Sequence, residues 1–350
     1  MTGTRATKLG RVLVALSLAT VVPLALAGQQ RPEPDPDDPE FVFRSGVELI
    51  NVTATVTDAR GRFVSGLTRD DFRVYQDGEL VDVTHFNNER VPVSLGIALD
   101  TSGSMEGRKM DAAQRALDRF LFDLLGPDDE IFLYQFNYTP DLLQDWTIDR
   151  SELSHAIQNI RPRGGTALYD AVAESVPRVA EGRHFKKALL IISDGNDTNS
   201  ETDIQELRRL IRGSEALIYA IGIDGPSTPA GLTRRDPTIQ MPRPSPFPGG
   251  RRPPPMPRGR GNARIANLDD RVNVSALRDL TDDTGGRTEI IRDADDLAPA
   301  TAGIADELSR QYYLGYAAQT EKDGRWHSIR VEVRNTDYRV RSRRGFAATP

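Results

Sequence analysis

Between Val91 and Ile223 four short apolar runs recur, Val93–Leu99, Glu130–Phe136, Lys187–Ser193 and Ala216–Ile223, separated by stretches whose apolar residues fall at helical spacing. Strands buried on both faces read as unbroken apolar runs, and their alternation with helices is the mark of a parallel sheet covered on both sides. The first helix is expected near 109–125, where Met110, Ala113, Leu117, Phe120, Leu121 and Leu124 share one face. Further helices are expected over 151–160, 167–179 and 203–211. After an interruption the pattern resumes with a helix at 274–281, a strand at 287–291 and a helix at 298–310. The expectation is an α/β fold with a doubly wound, mostly parallel sheet.

That block sits between segments of a different rhythm. Val47–Thr57 is β-rich and partly alternating, and Phe72–Gln76 and Glu79–Phe86 flank Asp77-Gly78, a preferred pair for a tight primed hairpin turn. Gln311–Ala317, His327–Arg334 and Tyr338–Arg343 read as strands again. A few strands alone make a poor core, so the C-terminal strands are expected to pack on the N-terminal ones as a small β-sandwich. The organisation is therefore read as a β-domain over 41–90, an α/β domain over 91–310 and C-terminal strands over 311–350. A Pro/Arg/Gly-rich insertion over 225–261 cannot make a packed element and reads as a surface loop.

The first 27 residues read as a signal peptide. Arg5, Lys8 and Arg11 precede the apolar run Val12–Leu26, and Ala25-Leu26-Ala27 supplies a small-x-small cleavage pattern. A retained anchor would need about 20 apolar residues; this run is shorter and holds Pro23. Residues 28–40, rich in Pro and Asp, read as a disordered linker. The expectation is an exported protein, periplasmic or extracellular, without stable membrane insertion after cleavage. A formal charge of −6 argues against nucleic acid as the main partner, and the absence of cysteine removes disulfides, thiolate metal sites, a cysteine nucleophile and lipid attachment at a cysteine.

In open parallel sheets, ligands bind outside the carboxyl ends of the strands, which gives priority to three loops. Asp100-Thr-Ser-Gly-Ser104 follows the first strand and presents a carboxylate and two hydroxyls at alternate positions. Such oxygens suit a hard cation, although Ser and Gly after a strand also simply build turns. The second loop, Arg163 to Asp170, has two glycines ahead of Thr166, which taken singly reads as a helix N-cap. The third, Ser193-Asp-Gly-Asn-Asp197, follows the most apolar strand, and Asp194 taken singly reads as a turn former.

Together these loops resemble the von Willebrand factor type A domain and its metal-ion-dependent adhesion site, whose pattern is Asp-x-Ser-x-Ser, a distant Thr and a later Asp. The resemblance covers about residues 91 to 310, and the wider chain is similar to bacterial von Willebrand factor type A-related secreted proteins. It implies that Asp100, Ser102, Ser104, Thr166 and Asp194 hold a divalent cation, magnesium first, with manganese or calcium as alternatives. It implies that Ser102 and Ser104 bind the ion through their hydroxyls, Thr166 directly or through water, and the two aspartates mostly through water. Asp197 and Glu106 are candidates for an outer position, with loop solvation the plainer account of both. The histidines at 85, 155, 184 and 327 have no zinc spacing and read as structural or surface residues.

The functional expectation is a non-enzymatic binding module that takes an Asp or Glu carboxylate of a protein partner on its cation. One alternative is an envelope scaffold in which the metal only staples the loops. A metal-assisted phosphoryl or ester hydrolase, with Asp100 as a carboxylate nucleophile, is the weaker alternative, because no general base, nucleophile elbow or phosphate-binding loop is evident.

Overall fold

The computed structural model describes residues 49–224, 272–318 and 323–348. The expected signal peptide (1–27), linker (28–40) and insertion (225–261) lie outside them. Four strands come first, β1 (Leu49–Thr57), β2 (Phe72–Gln76), β3 (Glu79–Val81) and β4 (Val83–Asn87). In β1, Ile50, Val52, Ala54 and Val56 are buried in alternation, as expected of a strand with one face on a core. Asp77 and Gly78 join β2 to β3 with φ of 52° and 88°, the left-handed pair that a primed turn requires. The strand expected over Glu79–Phe86 is in fact two. β3 stays with β2, whereas β4 pairs with a C-terminal strand in another sheet. Val81 and Val83 are both buried in one core, so the chain switches sheets at the exposed Asp82 to keep both inside.

The central block contains β5 (Val93–Asp100), α1 (Arg108–Arg119) continued by a π-helical turn Phe120–Leu124, β6 (Glu130–Phe136), β7 (Pro140–Thr147), α2 (Arg150–Gln158) and α3 (Leu168–Ala180). It continues through β8 (Lys186–Ser193), α4 (Ile204–Gly213), β9 (Leu217–Ile223), α5 (Val274–Thr281), β10 (Thr288–Ile291) and α6 (Leu297–Ser309). The sheet order is β10-β9-β8-β5-β6-β7, parallel throughout except for β7, which runs antiparallel to β6 at the edge. Leu95, Ile97 and Leu99 point to a face covered by α1, α2 and α6, while Ala98, Phe132 and Ile191 point to a face covered by α3, α4 and α5. Every residue of β5 is buried.

The chain closes with β11 (Tyr312–Ala317), β12 (Trp326–Val333), β13 (Arg339–Ser342) and a short β14 (Gly345–Ala347). These complete two four-stranded sheets, β13-β1-β11-β4 and β14-β12-β2-β3, around a shared core that includes Val52, Val74, Leu314 and Val331. The fold is thus α/β, a doubly wound, mostly parallel sheet inserted between N- and C-terminal strands that form a small β-sandwich. Sandwich and α/β layers meet at Glu307 of α6. Its buried carboxylate accepts from Thr55 Oγ1 (3.1 Å) of β1, Tyr219 OH (3.0 Å) of β9, Arg287 Nε (3.0 Å) and the Arg341 guanidinium of β13.

Candidate metal centre

The order of strands fixes where a site can form. From β5 the chain builds β6 and β7 on one side and then returns to build β8, β9 and β10 on the other, so the direction of winding reverses between β5 and β8. At such a switch point the loops leaving adjacent strands diverge and open a crevice. β5 ends at Asp100 and β8 at Ser193, and the register that pairs Leu99 with Ile192 sets Asp100 beside Ser193. The Ser193 hydroxyl donates to Asp100 Oδ2 at 2.6 Å, and the Ser102 backbone N–H donates to Oδ1 at 2.8 Å. Ser193 also accepts the Gly195 N–H (2.9 Å), so one hydroxyl fastens both strand ends.

Each loop is held to the next by backbone bonds. Arg163 N–H donates to Thr101 O (2.8 Å) and Gly103 N–H to Gly164 O (3.0 Å), which ties the first loop to the second. Gly164 has φ +82°, so this crossing needs glycine for its conformation, and an added Cβ would also displace the exposed Tyr138 ring, 2.4 Å away. The second loop meets the third where Thr198 N–H donates to Thr166 O (2.9 Å) and Thr166 N–H donates to Thr198 Oγ1 (3.0 Å). Helix α3 begins at Leu168 after Ala167, which has no capping side chain. Asp197 of the third loop takes that role, accepting from Leu168 N–H (2.9 Å) and Tyr169 N–H (3.4 Å). Asp197 therefore caps helix α3. Glu106 is exposed.

The structure brings the five sequence-derived residues to this strand-end crevice. Asp100, Ser102, Thr166 and Asp194 are buried and Ser104 is exposed at the rim. The Ser102 and Ser104 hydroxyls are 3.0 Å apart, so the alternate positions of the loop do aim at one point. Burial pushes the Asp100 carboxyl up to about 6, and the charge of Asp194 adds to the rise. Among the described residues Asp194 Oδ1 accepts a long bond from Asn196 N–H (3.3 Å), while Oδ2 is buried without a hydrogen-bond donor and has Lys109 Nζ at 3.9 Å. Two buried carboxylates with like charge, one carrying a bare oxygen, beside a pair of hydroxyls form a donor set that fits a hard divalent cation. Among the described residues no group of three or more acidic or histidine side chains is placed to hold a metal, so the fit rests on this hydroxyl-rich set.

Two contributors escaped the sequence reading. Ser193 ends the strand and looked like part of its run, and its use as a clamp follows only from the β5–β8 register. Lys109, in the first turn of α1, was given no role from the sequence, yet its side chain is 14% exposed and faces Asp194.

Residues 95–196 match the family model of the von Willebrand factor type A domain. An uncharacterized protein of Synechocystis sp. is 23% identical over 120 residues, which span 33% of this chain and 28% of that protein. Inter-alpha-trypsin inhibitor heavy chain H2 of Mus musculus is 24% identical over 152 residues, 39% of this chain and 16% of the relative. The matched segment thus spans less than a third of the length of either curated relative. Among solved structures, a von Willebrand factor type A protein from Catenulispora acidiphila is similar at 14% identity and a TM-score of 0.46, over 86% of this chain and 72% of that one.

Proposed function

We propose that this chain is an exported, non-enzymatic binding module that engages a protein partner through a divalent cation held at Asp100, Ser102, Ser104, Thr166 and Asp194. The observation that carries the proposal is the bare, buried Oδ2 of Asp194 beside the buried Asp100 carboxylate, at the switch point of the sheet. Neutral hydroxyls among the ligands would leave the ion electrophilic, so that a partner's Asp or Glu carboxylate can complete its coordination. Magnesium is the first candidate, because the donors are hard oxygens. The loops are already joined by direct backbone bonds, so a cation is not needed as their staple; this favours binding over a scaffold role. Among the described residues no histidine hydrogen-bonds either aspartate, so the site holds no histidine-assisted nucleophile of the Ser-His-Asp kind. Export is supported by the basic and apolar pattern of residues 1–27. Among the described residues no helix is long and apolar enough to cross a membrane.

The test is magnesium titration calorimetry together with capture of partners from an envelope fraction, in magnesium and in chelator. Asp100→Ala is expected to abolish cation binding and cation-dependent capture while circular dichroism stays unchanged. If chelation lowers the melting temperature but leaves the captured partners the same, the scaffold reading replaces this one. Turnover of generic phosphate or ester substrates, lost in Asp100→Ala, would overturn the non-enzymatic reading.

A further inference from the structure

Beside the Ser102 loop lies a cavity of about 320 Å³, with Arg161, Arg163, Asn137, Asn159, Leu143 and Ile160 among its lining residues. Its position is fixed by the same bonds that build the candidate cation site. The Arg163 backbone donates to Thr101 O at 2.8 Å, the next residue accepts from Gly103, and Asn137 Nδ2 approaches Thr101 Oγ1 at 3.5 Å. Arg161 is steadied by bonds from Nη1 to the carbonyls of Gln158 (3.1 Å) and Ile160 (2.8 Å). Arg163 is exposed, and among the described residues neither guanidinium forms an ion pair. Gln135, also on the wall, gives its amide to Asp141 at 3.0 Å, Asn159 gives its own to His155 O at 2.9 Å and Asn137 turns toward Thr101, so the charged donors left to the cavity are the two guanidiniums.

The neighbouring cavity has the opposite character. It holds about 400 Å³, begins at Tyr138, the residue after Asn137, and carries Asp170, Glu174 and Glu201 with no basic residue on its walls. Asp170 is spent on the backbone N–H groups of Glu201 (3.0 Å) and Thr202 (2.8 Å), while Glu174 and Glu201 are exposed. A guanidinium fork matches a carboxylate in shape and charge, whereas carboxylates repel it, so the two cavities sort the flanks of any acidic ligand.

We propose that the Arg161/Arg163 cavity is a second carboxylate subsite, and that the partner segment presents two acidic side chains, one to the cation and one to these arginines. The inference rests on the cation-dependent binding proposed above and narrows its partner to a diacidic peptide. The acidic cavity beyond Tyr138 sets the direction, because a second acid on that side meets Glu174 and Glu201.

The probes are fluorescein-labelled Gly/Ser peptides carrying one Asp, two Asp, or one Asp and one Lys, read by fluorescence anisotropy on the full chain in magnesium and in chelator. In magnesium the two-Asp peptide is expected to bind about fivefold to tenfold more tightly than the one-Asp peptide. Raising the salt should shrink that ratio. In the Arg161→Ser/Arg163→Ser variant, with an unchanged melting temperature, the ratio should fall to about one. If wild type shows no preference for two acids, or the variant keeps the preference, the second subsite is overturned while magnesium-dependent binding of the one-Asp peptide leaves the cation reading standing. If no peptide binds in a magnesium-dependent way, or Asp100→Ala binds all three as wild type does, both readings fall.

Discussion

Two buried acidic centres in this molecule are built in opposite ways. Glu307 sits where the β-sandwich meets the α/β layer, and both its oxygens are met from within the chain, Oε1 by Thr55, Tyr219 and Arg341 and Oε2 by Arg287. Asp100 and Asp194 sit at the strand ends, where hydroxyl and backbone donors serve part of their oxygens and, among the described residues, the one cation paired with them, Lys109, stays 3.9 Å away. A buried carboxylate costs free energy unless it is both hydrogen-bonded and charge-compensated. Glu307 meets both conditions and reads as structure. The aspartates meet the first in part and the second hardly, which is the condition of a site completed from outside.

The comparison breaks most visibly in stability. Glu307→Ala would leave Arg287 and Arg341 facing a void, and breaking a buried pair typically costs about 3–5 kcal/mol. Because Arg287 and Arg341 are 30% and 36% exposed and can hydrate, the lower end, about 3 kcal/mol, is expected in urea unfolding. Asp194→Asn should do the reverse in chelator and leave stability unchanged or slightly raised, since it removes an uncompensated charge. Magnesium should then separate the centres further. At about a hundred times its dissociation constant it should stabilise wild type by about 2.7 kcal/mol and Asp194→Asn by nothing measurable. If Asp194→Asn proves as costly as Glu307→Ala in chelator, the two centres are alike and the distinction fails.

The same contrast explains what the sequence disclosed. Parallel strands buried on both faces leave long apolar runs, so β5, β6, β8 and β9 could be placed almost to the residue. β7 could not, and no element is assigned there from the sequence: Pro140-Asp-Leu-Leu-Gln-Asp-Trp-Thr147 is a half-buried edge with two register shifts, and its acids and proline break the strand pattern. The break of Glu79–Phe86 into β3 and β4 was hidden because alternation persists through Asp82, and only the second sheet reveals the switch. The candidate ligands were legible because their spacing is local within each loop. Ser193, Lys109 and the Glu307 centre were not, because their partners lie far away in sequence, 252 positions in the case of Thr55 and Glu307.

Lys109 sharpens the comparison at smaller amplitude. An ammonium facing Asp194 partly compensates it and repels an arriving cation. Lys109→Met should therefore tighten magnesium binding by roughly threefold to tenfold, on the order of 1 kcal/mol, in calorimetric titration. A loss of affinity would mean that Lys109 positions Asp194 instead of competing for it.

The smallest effect expected comes from a third kind of centre, in which the compensating charge itself titrates. His327 of β12 places Nδ1 2.7 Å from Asp77 Oδ2 and Nε2 3.2 Å from Asp323 Oδ1. The bond to Asp77 outweighs the opposing effect of burial and, with Asp323, raises the imidazole above its ordinary value. Burial pushes Asp77 up, but the hydrogen bonds from His327 and Ser328 prevail and hold it below the usual carboxylate range. A raised histidine stabilises the fold fully below about pH 6.5, and that contribution disappears as pH rises through the folded value. A lowered aspartate contributes above about pH 4, and loses that contribution as pH falls further. The pair should thus support the sandwich between those limits. Melting temperatures taken in chelator from about pH 6 to pH 9 should fall for wild type relative to His327→Gln, whose profile lacks this limb. The arginines around Glu307 stay charged across that window, so curves that run parallel would mean that compensation at His327 is as fixed as it is at Glu307.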